Sequence, residues 1–540
     1  MTRAWSWFDA VVLDLGRQMR WSFLPPLMVY FAYGASGLTS VVGTFFVKDY
    51  LDVSAAFLAG LGFWVGLPWA LKMPVGHLVD LLWRQKWVLV FIGAGLIAAS
   101  FLIMFALATR QPWMDGVMSV TGWYVLASLL SPCGYVLQDA VADALSVEAV
   151  PKHDANGQPL DEDTQRALHT TMQTLGRVAL IGALSAVAAL NITLFSGIEA
   201  LPDAAKGAVF GRVYLIGLVI PLISVSGVLL AKWQQTRQIA QLTAQGLSRA
   251  EAEARFAPEG GAVKPNWAYF IGGGIFVALS VTLGLSDIAF AQELIFAGSL
   301  AIVLYLMRQL IAVLPPAKAR ALVGTAIIIF IFRATPLPGA GATWFTIDEL
   351  GFDPQFLAVL SLITSVLTLV GMFVLRPLMA NHTIVFIVVL LTLASGLLAL
   401  PNIGLYYGIQ DWTAAHTGGL VDARFIAILD TAMESPLGQI AMIPMLAWIA
   451  RNAPDNLKAT FFAVMASFTN LALSASSLGT KYLNQAFTVS RQVTGPDGSV
   501  TTPADYSQLG LLLIVVAVIG VIGPLLAVLL VQGSRLHTRD

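Results

Sequence analysis

The sequence carries very little charge for its length. Only 11% of its 540 residues are Asp, Glu, Lys or Arg, whereas 57% are hydrophobic. Soluble globular proteins carry about 25% charged residues, so a folded chain of this composition has too few charges to face water on all sides. The mean hydropathy of +0.78 indicates the same, that most of the surface faces lipid.

Features of several other protein classes are also absent. The single cysteine, Cys133, excludes a disulfide within the chain and a cysteine metal cluster. The net charge of −1 provides no global field that would recruit nucleic acid. The sequence has no zinc-protease, P-loop, serine-hydrolase or C-x-x-C motif, and no cleavable signal pattern at its first apolar run. We therefore expect no enzymatic activity, no cofactor and no metal.

Apolar stretches long enough to span a membrane recur fourteen times. A spanning helix needs about 20 mostly apolar residues. An amphipathic segment with Trp5, Phe8 and Val12 at helical spacing precedes them. The predicted spans are 24–47, 54–76, 87–108, 117–147, 168–196, 209–231, 267–286, 294–313, 321–338, 354–375, 384–401, 423–449, 459–487 and 508–531.

Lysine and arginine are distributed unevenly among the predicted loops. With a cytoplasmic N-terminus, 19 of them fall in inside segments and 4 in outside loops. Positive residues are enriched on the cytoplasmic side of membrane proteins. We therefore predict a multi-pass protein of the plasma (inner) membrane with both termini in the cytoplasm.

The two ends of the chain resemble each other. The Ser-Pro-x-Gly sequence at 131–134 recurs at 435–438. Five residues near the ends of the first two spans, Phe46, Asp49, Leu51, Phe57 and Leu58, line up without a gap on Phe345, Asp348, Leu350, Phe356 and Leu357. Paired six-helix halves are the architecture of the major facilitator superfamily. We predict an N-terminal segment 1–23, halves 24–231 and 314–531, a cytoplasmic linker 232–266, an extra helix pair 267–313 and a tail 532–540.

Several motifs resemble those of one family within that superfamily. Gly76, Asp80 and Arg84, between spans two and three, resemble the superfamily's loop motif. The segments 48–51, 67–72, 139–148, 344–346 and 459–471 resemble the folate-biopterin transporter family. The resemblance implies transport of folates, pterins or related conjugates, driven by protons. It is absent from the linker and from the extra helix pair, and the family is typically drawn with twelve helices.

Ionisable residues inside spans are the candidate functional residues, because burying them in a membrane is costly. Arg177, Arg333 and Glu434 lie near mid-depth of their predicted spans, and we predict that all three meet at a central substrate-binding site. Arginine binds carboxylates bidentately, so we predict that the two arginines contact an organic anion. The alternative is a structural ion pair between an arginine and Glu434.

Asp430 and Glu434 are four residues apart and share a helical face. Two adjacent acids disfavour joint ionisation, so we predict that this pair carries the coupling proton. The alternatives are hydrogen bonds to a pterin and packing beside Pro436. Among the aromatic residues, Trp64, Trp69 and Tyr135 are candidates for stacking on a flat ring, against a default of ordinary packing.

A cytoplasmic gate is predicted from charges at the inner ends of the spans. This group comprises Lys72, Asp80, Arg84, Asp139, Asp143 and Glu148. Lys72 has the alternative of extending its stem to the membrane interface, and we favour the same role for Lys481 near the outer end of its span.

We therefore predict an all-α membrane transporter that binds a small organic anion and protons as a monomer in the lipid bilayer, with no nucleic-acid partner. Two alternatives stay open. One is a permease for another conjugate, such as a peptide-like or siderophore-type molecule. The other is a membrane scaffold that transports nothing, although buried charges argue against it.

Overall fold

The computed structural model describes most of the chain. The described residues are 14–51, 53–70, 72–82, 85–151, 160–254, 290–312, 314–375, 382–437, 458–494 and 500–537, with isolated residues between 267 and 288 and residue 378. Arg84, the amphipathic segment and much of the predicted spans 267–286 and 423–449 lie outside these ranges.

The described part of the chain up to residue 254 forms eleven α-helices. They are α1 (Asp14–Arg17), α2 (Leu24–Ala35), α3 (Ser40–Tyr50), α4 (Ala55–Ala70), α5 (Lys72–Leu81), α6 (Trp87–Ala108), α7 (Val120–Ala149), α8 (Glu162–Leu194), α9 (Asp203–Gly217), α10 (Val219–Ala244) and α11 (Arg249–Ala254). Short 3-10 turns occupy Trp21–Phe23, Ser36–Thr39 and Ile198–Ala200.

The described part from residue 290 onward forms nine α-helices and two short strands. The helices are α12 (Ala291–Ile311), α13 (Pro316–Arg333), α14 (Ala340–Asp348), α15 (Pro354–Val374), α16 (Ile384–Tyr406), α17 (Ile409–His416), α18 (Ala423–Glu434), α19 (Lys458–Ala486) and α20 (Leu509–Gln532). A 3-10 turn, Ser435–Leu437, follows α18. Strands β1 (Val493–Thr494) and β2 (Val500–Thr502) pair antiparallel, with Val493 opposite Thr502.

Local sequence signals explain where several of these helices begin. Asp353 accepts a hydrogen bond of 2.7 Å from the amide of Phe356, and Pro354 occupies the first helical position of α15. Thr383 and Asp422 cap α16 and α18 in the same way. Such caps satisfy amides that have no partner within the helix, so each helix starts at a fixed residue of the chain.

Eight helical segments of the described chain are long and apolar enough to cross a membrane. They are Trp21–Lys48, Trp87–Ala108, Val120–Ala149, Thr171–Ala200, Ala205–Ala244, Pro354–Val374, Ile384–Tyr406 and Leu509–Gln532. These segments confirm the prediction of an all-α membrane protein. The predicted total of fourteen spans stays a prediction.

Two predicted spans are interrupted. The first changes from α2 to α3 through the 3-10 turn Ser36–Thr39. The predicted span 321–338 ends early, because α13 stops at Arg333 and α14 begins only at Ala340. Pro336 and Pro338 lie between them and lack the N–H group that a continuing helix needs.

The predicted linker 232–266 is helical over much of its described part. Helix α10 continues to Ala244, and the Lys232 ammonium lies 4.6 Å from the centre of the Trp87 ring. Just before α11, the hydroxyl of Ser248 donates to Glu251 at 2.7 Å and the Ser248 amide donates to the same carboxylate at 2.9 Å. These two bonds lower the pKa of Glu251, whose side chain is exposed.

The chain divides into two compact units. The first contains residues 1–40, 74–194 and 201–270, and the second contains 41–73, 195–200 and 271–540. Residues 41–73 therefore pack with the second unit, although the internal repeat groups them with the first six spans. The predicted domain boundaries describe that repeat, and they stay a prediction.

Each unit has its own apolar core. In the first unit, Phe23, Val90 and Val141 are fully buried together with Met172. In the second, Ile328 packs with helices α16, α19 and α20 around it. The functional side chains are thus held on helices that are fixed by packing.

Candidate functional site

The break between α2 and α3 is held by helix α8. Gly34 lies so close to α8 that a Cβ atom added there would be 2.0 Å from the carbonyl oxygen of Leu180. Further along, Asn191 donates its side-chain amide to the carbonyl of Leu38 at 3.0 Å. Irregular backbone at membrane depth requires partners for its freed polar groups, and α8 provides one.

The break between α13 and α14 is held by helix α19. The amide of Leu337 donates to the hydroxyl of Thr480 at 2.8 Å. Asn484 donates its side-chain amide to the carbonyl of Pro338 at 3.1 Å. Gly339 adopts a φ of 83°, which favours glycine, and it lies against the same Asn484 side chain. Polar side chains of α19 thus replace the helical hydrogen bonds that the break removes.

Arg333 lies at the break, as the last residue of α13. Its Nε donates to the carbonyl of Thr469 at 3.3 Å. The carbonyl groups at a helix C-terminus favour a nearby cation, which helps to retain the charge in this partly buried place. Within the described chain Arg333 forms no ion pair, with Glu434 or any other acid. Its terminal nitrogens therefore remain available for an anion.

Arg177 lies on α8, in the first unit, next to a close helix contact. The preceding residue, Gly176, packs against the ring of Tyr30 on α2. The Tyr30 hydroxyl donates to Asp143 on α7 at 2.8 Å. Arg177 is partly buried, and it makes no side-chain hydrogen bond or ion pair within the described residues. Its guanidinium group, like that of Arg333, therefore remains available to bind an anion.

The two predicted proton-carrying acids differ in environment. Asp430 on α18 is only 8% exposed. Its Oδ2 accepts a hydrogen bond of 2.9 Å from the Asn402 side chain on α16, whereas its Oδ1 is buried without a hydrogen-bond partner in the described structure. Glu434, the last residue of α18, is exposed. The buried and the exposed carboxyl groups thus lie one helical turn apart.

The predicted aromatic residues are divided between the two compact units. Tyr135, in the first unit, is 5% exposed and lies with its ring centre 5.4 Å from that of Tyr33. Trp64, in the second unit, packs in an apolar cluster with Phe63. Trp69, on the same helix, accepts a hydrogen bond of 3.4 Å at its carbonyl from Asn470. Stacking on a substrate ring stays a prediction for all three predicted residues.

Several predicted gate residues lie in the first unit. Glu148 forms an ion pair of 2.6 Å with Lys86, which is 7% exposed. Asp143 accepts the Tyr30 hydrogen bond, and Asp139 lies one turn before it on α7. Lys72, which belongs to the second unit, is partly buried at the start of α5.

The remaining gate residues are less fully described. The side chain of Asp80 lies outside the described part of the chain, as does all of Arg84. Their predicted latch, and the gating role of the whole group, stay predictions.

Sequence reasoning missed an ion pair in the second unit. Lys48, near the end of α3, lies 2.7 Å from Asp348 at the end of α14. The Tyr506 hydroxyl donates to the same carboxylate at 2.5 Å. The guanidinium of Arg491 lies 5.5 Å from the centre of the Trp344 ring nearby. The sequence feature that could have indicated this ion pair is the charged residue near the end of the first helix in each repeat.

Lys481 makes contacts that the sequence did not predict. Instead of extending to the interface alone, it contacts Glu293 of α12 at 3.0 Å and Gln292 at 3.0 Å. Gln292 also donates to the carbonyl of Gly60 on α4 at 3.1 Å. The extra helix α12 is thus joined by polar contacts to α19 and α4.

The sequence matches the profile of the BT1 family over residues 178–539. A curated relative, the "Folate-biopterin transporter" of Synechocystis sp., is 24% identical over 477 residues, which are 85% of this chain and 74% of the relative.

Solved structures with a similar fold are transporters. A POT family transporter in complex with a thioalcohol-conjugated peptide has a TM-score of 0.56 at 12% identity, covering 94% of this chain and 96% of that one. A peptide transporter POT in complex with sulfate has a TM-score of 0.56 at 15% identity, covering 96% and 94%. The predicted major facilitator fold is confirmed by this similarity.

Proposed function

Because the chain belongs to the BT1 family of folate-biopterin transporters, we propose that it moves folate, a pterin or a related organic anion across a membrane by alternating access. The observation that carries the proposal is the family match, which covers residues 178–539. The interrupted helices support it, since discontinuous helices commonly form the substrate sites of secondary transporters.

In this proposal, Arg177 and Arg333 bind the carboxylates of the substrate. Each guanidinium is partly buried, and neither forms an ion pair within the described residues. Such a charge is costly inside a membrane unless it serves a ligand or faces water. An anionic substrate compensates both charges when it binds. Trp64, Trp69 and Tyr135 are assigned to stacking on the ring of the substrate.

Proton coupling is assigned to Asp430 and Glu434. The gate at the cytoplasmic face is assigned to Lys72, Asp80, Arg84, Asp139, Asp143 and Glu148. We further propose that the protein acts as a monomer in the plasma (inner) membrane, with both termini in the cytoplasm.

The test is uptake of labelled folate into vesicles that contain the purified protein, with and without an inward proton gradient. We expect uptake that the gradient stimulates. Removing a charged hydrogen-bond partner costs about 1.5–3 kcal/mol, so Arg177→Ala and Arg333→Ala should each weaken uptake about tenfold or more. Arg212→Ala and Arg308→Ala, at exposed arginines elsewhere on the chain, are the matched controls.

The outcomes separate the alternatives. Normal transport by both arginine variants would show that these residues do not bind the anion. Uptake that folate does not inhibit, but that a peptide-like conjugate does, would favour the other class of permease. No uptake of any of these ligands under any gradient would favour the scaffold.

A further inference from the structure

We propose that Asn402 positions the proton-carrying carboxyl group of Asp430, and that Asp430 rather than Glu434 is the residue that binds the coupling proton. The inference rests on the proposed proton coupling and adds to it a residue that the sequence did not indicate. Asn402 is a positioning residue here, because it acts through Asp430.

The first argument is the hydrogen bonding of the Asp430 carboxyl group. Oδ2 is held by the Asn402 amide at 2.9 Å, and Oδ1 is buried without a partner in the described structure. An ionised carboxylate in an apolar environment requires partners for its oxygens. A protonated carboxyl group carries no charge and tolerates a single donor. The site therefore suits a group that alternates between the two states.

The second argument is the charge around Asp430. Helices α15 and α16 both pack against α18, and neither contains an acidic or basic residue. Glu434, one turn along α18, is the nearby charge that acts on Asp430. Arg424, at the start of α18, is paired with Asp353 at 2.7 Å. Within the described residues, the proton on Asp430 is thus governed by one hydrogen-bond donor, Asn402, and one neighbouring negative charge, Glu434.

The third argument is access for the proton. Asn402 and Glu434 are exposed, whereas Asp430 is not. Polar side chains within spanning helices face a bundle interior or a water-filled cavity rather than lipid. The buried acid therefore lies next to an exposed polar residue, Asn402, at a surface that we expect water to reach. The step itself is simple: Oδ1 takes one proton from water and later returns it, while Oδ2 stays bonded to Asn402.

The proton site can be tested without any substrate, by infrared titration of the purified full-length protein. The band to follow is the carbonyl stretch of a protonated carboxyl group that disappears in Asp430→Asn. A hydrogen bond to a charged group contributes about 1.5 kcal/mol, which corresponds to about one pH unit. Asn402→Leu should therefore raise the midpoint by about one unit, because the ionised form loses its donor.

Other variants make the test specific. Asn402→Gln keeps an amide donor and should restore much of the original midpoint. Glu434→Gln removes the neighbouring negative charge at an exposed position, so it should lower the midpoint. Thr392→Val, a substitution of similar shape on the same helix, should leave the midpoint unchanged.

An unchanged midpoint in both Asn402→Leu and Glu434→Gln would overturn the proposal, as would the absence of any band that depends on Asp430. Uptake measurements distinguish this failure from failure of the proposed function. If wild-type protein transports no folate but the band titrates as expected, the substrate assignment is wrong and the proton site stands. If folate uptake is stimulated by the gradient but no such band exists, the proton is carried elsewhere.

Discussion

Because α2 and α8 approach each other closely at Gly34, we predict that Gly34→Ala destabilises the protein. In Gly34→Ala, the new Cβ atom would lie 2.0 Å from the Leu180 carbonyl oxygen, 2.8 Å from its carbon and 3.0 Å from the Cβ of Ala183. Ordinary contacts begin at 3.4 Å. Because the obstructing atoms belong to the backbone of α8, they cannot rotate away, and the two helices must move apart.

The cost of such overpacking is about 1–3 kcal/mol. The matched control is Gly182→Ala on α8 itself, where an added Cβ meets nothing within 4 Å. Replacing an unobstructed glycine in a helix by alanine stabilises it by about 0.5–1 kcal/mol. The same chemical change should therefore lower the thermal unfolding temperature at one position and raise it at the other.

The assay is thermal unfolding of the purified proteins in detergent, followed by tryptophan fluorescence. Arg177 lies one turn before Leu180 on α8, so we also expect Gly34→Ala to reduce folate uptake when the protein is assayed below its unfolding temperature. A Gly34→Ala protein as stable as the wild type would refute the close approach, since no side-chain adjustment can relieve that contact.

Two further predictions concern charged and phenolic groups. Lys86→Met should destabilise the protein by about 3 kcal/mol, because Glu148 loses its partner, and the double variant Lys86→Met/Glu148→Leu should recover part of that loss in the same unfolding assay. Burial, and secondly the Asp348 carboxylate, raise the pKa of Tyr506. The neutral Tyr506 hydroxyl therefore stabilises the folded protein fully below the ordinary phenol pKa near 10. This stabilisation is lost as the pH rises from there towards the pKa of Tyr506 in the folded protein. Between pH 10 and 11, the free energy of unfolding of Tyr506→Phe should fall by about 1 kcal/mol less than that of the wild type. Equal decreases for the two proteins, measured by unfolding at alkaline pH, would contradict this prediction.

The sequence predicted the spans best where the apolar run is uninterrupted. The span 87–108 coincides with α6, because 22 consecutive residues form one apolar helix. It predicted less well where a helix breaks. The run 321–338 is mostly apolar, but α13 ends at Arg333, just before Pro336 and Pro338. A hydropathy average does not detect such a break, whereas the spacing of the two prolines does.

The candidate residues could be predicted from the sequence because a charge in a spanning helix is costly. Their hydrogen-bond and ion-pair partners could not be predicted in this way. Arg177, Arg333 and Asp430 stood out because charge is rare in spans. Asn402 did not, since an uncharged amide near the end of a helix has many ordinary explanations. The ion pair of Lys48 with Asp348 joins residues 300 positions apart, and the internal repeat matches Asp348 with the neighbouring Asp49 instead. Spatial pairing of this kind requires the packing of the helices, which periodicity alone does not specify.

The polar side chains of α8 and α19 have a common physical cause. A break in a spanning helix frees backbone groups that lipid cannot satisfy, so another helix must supply donors and acceptors. Asn191 does so for the first break, and Thr480 and Asn484 do so for the second. In each predicted repeat, the helix that supports the break corresponds to the fifth predicted span. A substitution that continued either broken helix would remove one hydrogen bond from each of these buried side chains, so we expect each break and its supporting helix to change together.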